Sequence, residues 1–200
     1  MIEHPEDLNA PAERGHRPAL LVLIRHGQSL RNAAKRGNLY FPDPDAREGL
    51  RGQPDHLTPL TDVGWTQARE AGLLLQQRHG VFDYLYHSGY QRTLQTAEGL
   101  LSAYPLNERE RIRVRHNLFL REREVGYTFD MTTDEVDAAF PWLQEYWETF
   151  GRFFARPPGG ESLADVAQRV YMFLGMLFRD RAHQRVLCVC HGGTMRMFRF

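Results

Sequence analysis

Two histidines of this 200-residue chain stand in the same kind of place. The apolar run Leu20, Leu21, Val22, Leu23, Ile24 leads into Arg25-His26-Gly27, and the apolar run 186–190 leads into His191-Gly192-Gly193. Such continuous runs read as strands buried on both faces of a parallel sheet. Open α/β sheets hold their ligands just beyond the carboxyl ends of the strands, so both imidazoles are expected at one crevice. A lone strand-end histidine is ordinarily a satisfied core residue; two, each followed by glycine, point to shared chemistry. Glycine lets the backbone turn sharply, and the helix that follows offers N–H groups to an anion. A neutral imidazole is a nucleophile, and its ordinary pKa of ~6.5 makes that form available at neutral pH.

A third strand end, His87-Ser88, is followed four residues later by Arg92 at the start of a helix, which aims a guanidinium at the same edge. A fourth segment, Leu120-Arg121-Glu122-Arg123-Glu124-Val125-Gly126, follows a weaker strand candidate at 114–120 and supplies a carboxylate. Spacing alone does not separate Glu122 from Glu124.

The elements that must position these residues alternate. Residues 29–35 read as helix after the first strand. Thr61 is an N-cap, with Gly64, Ala68, Ala71 and Leu75 forming a small-residue face and Gly80 the stop. Residues 81–87 read as strand, and Leu94, Ala97, Leu101 and Tyr104 mark a helix closed by Pro105. Residues 133–151 are helical and aromatic-rich, with Pro141 in the first turn of a new helix. Ser162 and Asp165 form a capping box ahead of the stripe Leu163, Val166, Val170, Phe173, Leu177. Residues 37–59, rich in Gly, Pro and Asp, show no period and read as a functional loop or insert. The fold class expected is α/β: a three-layer α/β/α sandwich with a mainly parallel central sheet. Residues 1–18 form a loose tail and 19–200 one catalytic domain.

Lys plus Arg equals Asp plus Glu at 25 each, so the chain is formally neutral. That argues against a general nucleic-acid or membrane-surface binder. Lys35 is the sole lysine; every other basic residue is arginine. Cys188 and Cys190 fall on one face of the last strand and read as reduced core thiols of a cytoplasmic protein. No signal-peptide pattern or membrane-length apolar run is present.

Taken in order, these segments resemble the histidine phosphatase superfamily, the phosphoglycerate-mutase-like enzymes. Arg25-His26-Gly27-Gln28-Ser29-Leu30-Arg31-Asn32 is similar to its signature. Leu60-Thr61 through Gly64 to Gln67-Ala68 resembles the next helix; Ser88, Arg92, Gln95 and Thr96 resemble its Ser-x-x-x-Arg-x-x-Gln-Thr segment. Leu120-x-Glu122-x-x-x-Gly126, Gly160-Glu161-Ser162 and His191-Gly192 complete the series. The resemblance implies a phosphoglycerate-mutase-like fold and a metal-independent enzyme with no cofactor. It implies that His26 becomes phosphohistidine, that Arg25, Arg92 and His191 hold the phosphoryl oxygens with Asn32, Ser29 and Gly192 assisting, and that Glu122 rather than Glu124 is the proton donor. Its substrate is a phosphorylated small molecule.

Within the family, mutases carry a longer basic insertion between the acid loop and the Gly-Glu-Ser helix. Here the interval 127–159 is compact, with Arg152 and Arg156 its only cations, which favours hydrolysis over mutase action. Arg47 and Arg51 in the earlier insert are the rival source of cations. A silent phosphate-binding module is the other alternative, against which His26, Glu122 and His191 are all retained. Segments 40–56 and 140–154 are candidate pocket walls. If the chain ends at Phe200, packing over the last strand is left incomplete and a partner subunit, as in a homo-oligomer, would cover it.

Overall fold

The computed structural model describes residues 17–199. Most of the expected N-terminal tail, residues 1–16, and Phe200 lie outside the described residues. β1 (Leu20–Arg25) runs through Gly27 into α1 (Leu30–Lys35). The segment 37–59 carries α2 (Pro44–Glu48) and a 3-10 turn at Asp55–Leu57, so it is not without helix as its composition suggests. Each is a single turn, too short to display a period. α3 (Asp62–His79), β2 (Tyr84–His87), α4 (Gln91–Leu101), α5 (Leu106–Arg109) and β3 (Arg113–His116) follow. Two 3-10 turns, Leu118–Leu120 and Gly126–Asp130, flank the acid-bearing segment. The chain then forms α6 (Thr133–Ala139), α7 (Leu143–Phe150), α8 (Leu163–Asp180), β4 (Arg185–Cys190) and α9 (Gly192–Met197).

The four strands are all parallel, in the order β1-β4-β2-β3. Alternating side chains separate two cores. Leu85, Leu187 and Val189 meet Leu75 of α3 and Leu100 of α4 on one face; Tyr86, Cys188 and Cys190 meet Phe173 and Leu177 of α8 on the other. The result is the expected α/β/α sandwich, with both free thiols buried on one face. Register brings the strand ends level: Arg25 lies beside Cys190, and His87 beside both Val189 and His116. The residues following β1 and β4 are therefore neighbours.

Several local expectations are corrected. β1 is only half-buried, because it is an edge strand of the described sheet. β4 lies between β1 and β2 and is buried from Val186 to Cys190, so packing over the last strand is not incomplete among the described residues. Leu94 is 40% exposed; the inward face of α4 is set by Arg92, Thr93, Thr96 and Ala97, because its polar residues serve the site. Pro141 precedes the N-cap Trp142 instead of entering the helix. The 114–120 strand candidate ends at His116.

Candidate active site

A cleft of about 430 Å3 opens at the carboxyl ends of the strands, and its wall includes Arg25, His26, Asn32, Arg92, Glu122 and Gly192. Local sequence explains how the strand end is held there. A Cβ on Gly27 would run into the Gly64 carbonyl, and one on Gly64 into the Gln28 carbonyl, so two glycines let α3 press on the turn after β1. The Arg-x-x-Gln-Thr spacing puts three side chains on one face of α4. Arg92 reaches Asp55, Gln95 Oε1 accepts from Leu60 N at 2.7 Å, and Thr96 Oγ1 accepts from Gly27 N at 3.1 Å. One helix face thereby ties residues 55–60 and the His26 turn together.

The His26 ring has a defined tautomer. Its Nδ1 lies 2.7 Å from the Gly27 carbonyl. A carbonyl only accepts, so Nδ1 carries the hydrogen and Nε2 keeps its lone pair. Burial first, then the charge of Arg92 and that of Arg25, pull the imidazolium down to about 3, so the ring is neutral at physiological pH.

His191 is fully buried and is not part of the cleft wall. Its ring meets those of His26 and Tyr90 edge-on, with centroids 5.0 and 4.9 Å away. Its Nε2 is 2.8 Å from Ser88 Oγ, while Nδ1 is buried without a partner among the described residues. Burial, then the charge of Arg92, holds it well below the ordinary imidazole range.

The acid segment is fastened from behind. Arg169, 5% exposed, donates to the carbonyls of Phe119, Arg121 and Glu122 and to the Glu161 carboxylate. Glu161 also accepts from Arg121 and from Glu124 N, which gives the Gly-Glu-Ser motif its use. Gly126, at φ +63°, backs onto Pro158, where a side chain would collide. So fixed, Glu122 turns Oε1 to the N–H groups of Arg123 and Gly193, at 2.9 and 3.1 Å, and leaves Oε2 without a partner among the described residues. Burial raises its pKa above the usual glutamate value. Glu124 is exposed, accepts from Tyr90 Oη at 3.2 Å and does not line the cleft. Geometry separates the two carboxylates where spacing did not.

The other expected residues divide. Arg25 lines the cleft with no side-chain partner among the described residues. Asn32 Oδ1 accepts from Ser29, and its amide nitrogen has no partner among the described residues, whereas the Ser29 hydroxyl is spent in a reciprocal cap on α1. Arg92 is paired with Asp55. Arg47 is buried against Glu135 and the Asp130 carbonyl, so it serves the insert's own packing and, like Arg51, is absent from the cleft wall. The 140–154 segment does not line the cleft either; Trp142, Phe150 and Phe154 are exposed, and Phe140 and Trp147 border a separate cavity of about 210 Å3.

Lys35, Arg123 and Arg196 also line the cleft without having been singled out in the sequence, and Asp55 lines it from within the 40–56 segment expected as a pocket wall. Lys35 donates from Nζ to the Leu39 carbonyl at 2.8 Å and has no carboxylate partner among the described residues; burial, then the Arg31 charge, lowers its pKa to about 8. Its standing as the sole lysine was the one signal in the sequence. No group of three His, Cys, Asp or Glu side chains among the described residues is disposed to hold a metal ion.

Residues 21–199 match the Histidine phosphatase superfamily (branch 1). The chain belongs to that superfamily. It is 34% identical over 201 residues to a phosphoglycerate mutase-like protein of Arabidopsis thaliana, covering 90% of this chain and 64% of that protein. A second Arabidopsis protein of that description is also 34% identical, and 56% of its length is covered. The chain thus spans about six-tenths of the length of those relatives. Against the 2,3-bisphosphoglycerate-dependent phosphoglycerate mutase of Rhizobium etli it is 32% identical, with 88% of this chain and 76% of that one covered. A mycobacterial glucosyl-3-phosphoglycerate phosphatase solved with VO3 superposes with a TM-score of 0.64 at 29% identity, over 90% of this chain and 78% of that chain. No helix among the described residues is long and apolar enough to cross a membrane.

Proposed function

We propose that this chain is a phosphomonoester hydrolase that passes the phosphoryl group through His26. The observation that carries the reading is the 2.7 Å contact between His26 Nδ1 and the Gly27 carbonyl, which leaves the Nε2 lone pair as the ring's free nucleophile. Nε2 attacks phosphorus in line as the ester P–O bond breaks. Arg25, Arg92 and the amide nitrogen of Asn32 meet the equatorial oxygens, over which the charge spreads in transit. In this reading Ser88 donates to Nε2 of His191, so Nδ1 carries the ring hydrogen; buried without a partner among the described residues, it costs about 1–3 kcal/mol until a phosphoryl oxygen accepts from it. Glu122, whose pKa burial raises above the usual glutamate value, delivers the hydrogen from Oε2 to the leaving alkoxide in its protonated form. The resulting carboxylate then takes a proton from water as that water attacks phosphohistidine, releasing phosphate and restoring both groups.

The substrate is a phosphorylated small molecule, neither nucleic acid nor membrane lipid, and the reaction uses no metal. The buried free thiols fit a reducing, cytoplasmic setting. Mutase action is the second reading, favoured by the likeness to the Rhizobium protein. Against it, the interval 127–159 gives the cleft wall only Phe129, and its Arg156 is an exposed partner of Asp165. Nothing from that interval supplies the cationic cover that shields phosphohistidine from water.

Hydrolysis of p-nitrophenyl phosphate in excess chelator, with inhibition by vanadate, is the direct test. Offered 3-phosphoglycerate with catalytic 2,3-bisphosphoglycerate, the protein should release phosphate if it turns the compound over. Activity lost in chelator and restored by a divalent ion would overturn the metal-free scheme; isomer exchange far faster than phosphate release would make the enzyme a mutase.

A further inference from the structure

We infer that Asp55 is the positioning residue of Arg92, and that the 37–59 insert serves to hold this one carboxylate against one edge of that guanidinium. The inference rests on the proposed role of Arg92 at the phosphoryl group. Asp55 meets Arg92 with both oxygens, Oδ1 at 3.0 Å from Nη1 and Oδ2 at 3.0 Å from Nη2, and its backbone carbonyl accepts from Nη1 at 2.7 Å. Those three bonds use both hydrogens of Nη1 and one of Nη2, the end-on edge of the guanidinium. The side-on edge, Nε–H with the second hydrogen of Nη2, has no protein partner among the described residues and is not sealed from solvent. It is a second planar fork of the kind that takes a phosphoryl group bidentately. Asp55 therefore occupies the edge that orients and leaves open the edge that binds.

The insert is built to keep Asp55 in place. Arg31, 5% exposed with its guanidinium 4.0 Å from the Phe129 ring centroid, donates to the carbonyls of Leu50 and Gln53 and to Asp130. Asp130 also accepts from Gly52 N at 2.8 Å. The 3-10 turn closes as Thr58 N donates to the Asp55 carbonyl, and Leu60 N is bound by Gln95, one turn along α4 from Arg92. The far side of Arg92 stacks on Tyr90, 4.8 Å from the ring centroid. A guanidinium on a flexible stem is thus fixed before substrate arrives, which removes the cost of ordering it in the transition state. The rival idea, that Asp55 is an internal anion occupying the phosphoryl position, predicts the opposite effect of its removal.

The test is a double-mutant cycle on the full chain with Asp55→Ala, Arg92→Ala and the pair, read as kcat and KM for p-nitrophenyl phosphate and as inhibition by vanadate. Asp55→Ala should weaken vanadate and lower kcat/KM by ~10–100-fold, the range seen when an orienting partner is lost. Adding it to Arg92→Ala should cost no more than about twofold beyond Arg92→Ala alone, because its effect passes through that guanidinium. Asp55→Asn, which keeps the shape and one acceptor, should fall between wild type and Asp55→Ala, and it carries the test if Asp55→Ala fails to fold. Losses that multiply in the double variant, unchanged vanadate inhibition, or tighter vanadate binding without Asp55 would each overturn the inference. His26→Ala in the same assays keeps the two levels apart. Turnover that survives it defeats the proposed function; turnover lost with it while Asp55 proves indifferent defeats this inference alone.

Discussion

The ends of β1 and β4 carry the same sequence pattern, an apolar run, a histidine and a glycine, and they give two different imidazoles. β1 is an edge strand of the described sheet and β4 an interior one. His26 stands in the cleft wall at 6% exposure, while His191 is fully covered by the rings of His26 and Tyr90. His26 spends Nδ1 on its own neighbour's carbonyl and offers Nε2; His191 spends Nε2 on Ser88 and keeps Nδ1. Both are held neutral by burial. The pattern brings an imidazole to the sheet's edge, and the nitrogen that is tied down decides what the ring can do. In the proposed function one ring forms a bond and the other only holds.

The sharpest way to break that division is to delete each ring. His26→Ala should lower kcat by ~10⁴-fold or more, whereas His191→Ala should cost ~10²–10³-fold, the scale of losing one charge-stabilising donor. Steady-state assays on p-nitrophenyl phosphate check both, and equal losses would erase the distinction.

Glu122→Gln tests the partner that only one ring requires. It should lower kcat/KM by ~10²-fold for an alkyl phosphate and much less for p-nitrophenyl phosphate, since the nitrophenolate leaves without a proton. For both, kcat falls because release of the phosphoryl group to water loses its base. The pH profile follows from the two shifts. His26 titrates near 3, so no activity is lost to its protonation as pH falls through the ordinary imidazole range. Glu122 is raised, so alkyl-phosphate turnover falls as pH climbs through that elevated value and the carboxyl loses its hydrogen. Glu122→Gln should abolish that limb, and a limb that persists would assign it to another group.

The smallest effect concerns how His191 is held. Ser88→Ala removes the bond to Nε2 and should cost about 3- to 10-fold in kcat/KM, the value of one hydrogen bond. His191→Ala should mask it in the double variant; independent losses would mean that Ser88 acts elsewhere.

The sandwich and the main strands were legible because buried parallel strands read as unbroken apolar runs, and α3 and α8 because their N-caps and stripes agree. Illegible features depend on contacts distant in sequence. Asp55 gains its meaning only from Arg92, 37 residues on. Arg47 looks like a free cation until Glu135, 88 residues away, is placed against it. Edge or interior position also escapes an apolar count, so β1 looked as buried as β4. Glu122 and Glu124 differ by two residues, and spacing does not separate them until Gly193 N, 71 residues off, is placed against Glu122 and the cleft is seen to exclude Glu124.

The central claim, a phosphoryl group carried on His26, is tested most directly by trapping it. Glu122→Gln incubated with p-nitrophenyl phosphate should load the ring without needing an acid, then release it slowly for want of a base. Quenching in alkaline denaturant and mapping by fragmentation mass spectrometry should find one acid-labile phosphoryl group, on Nε2 of His26. A phosphoryl group on His191 or on any other side chain, with His26 unmodified, would contradict that claim.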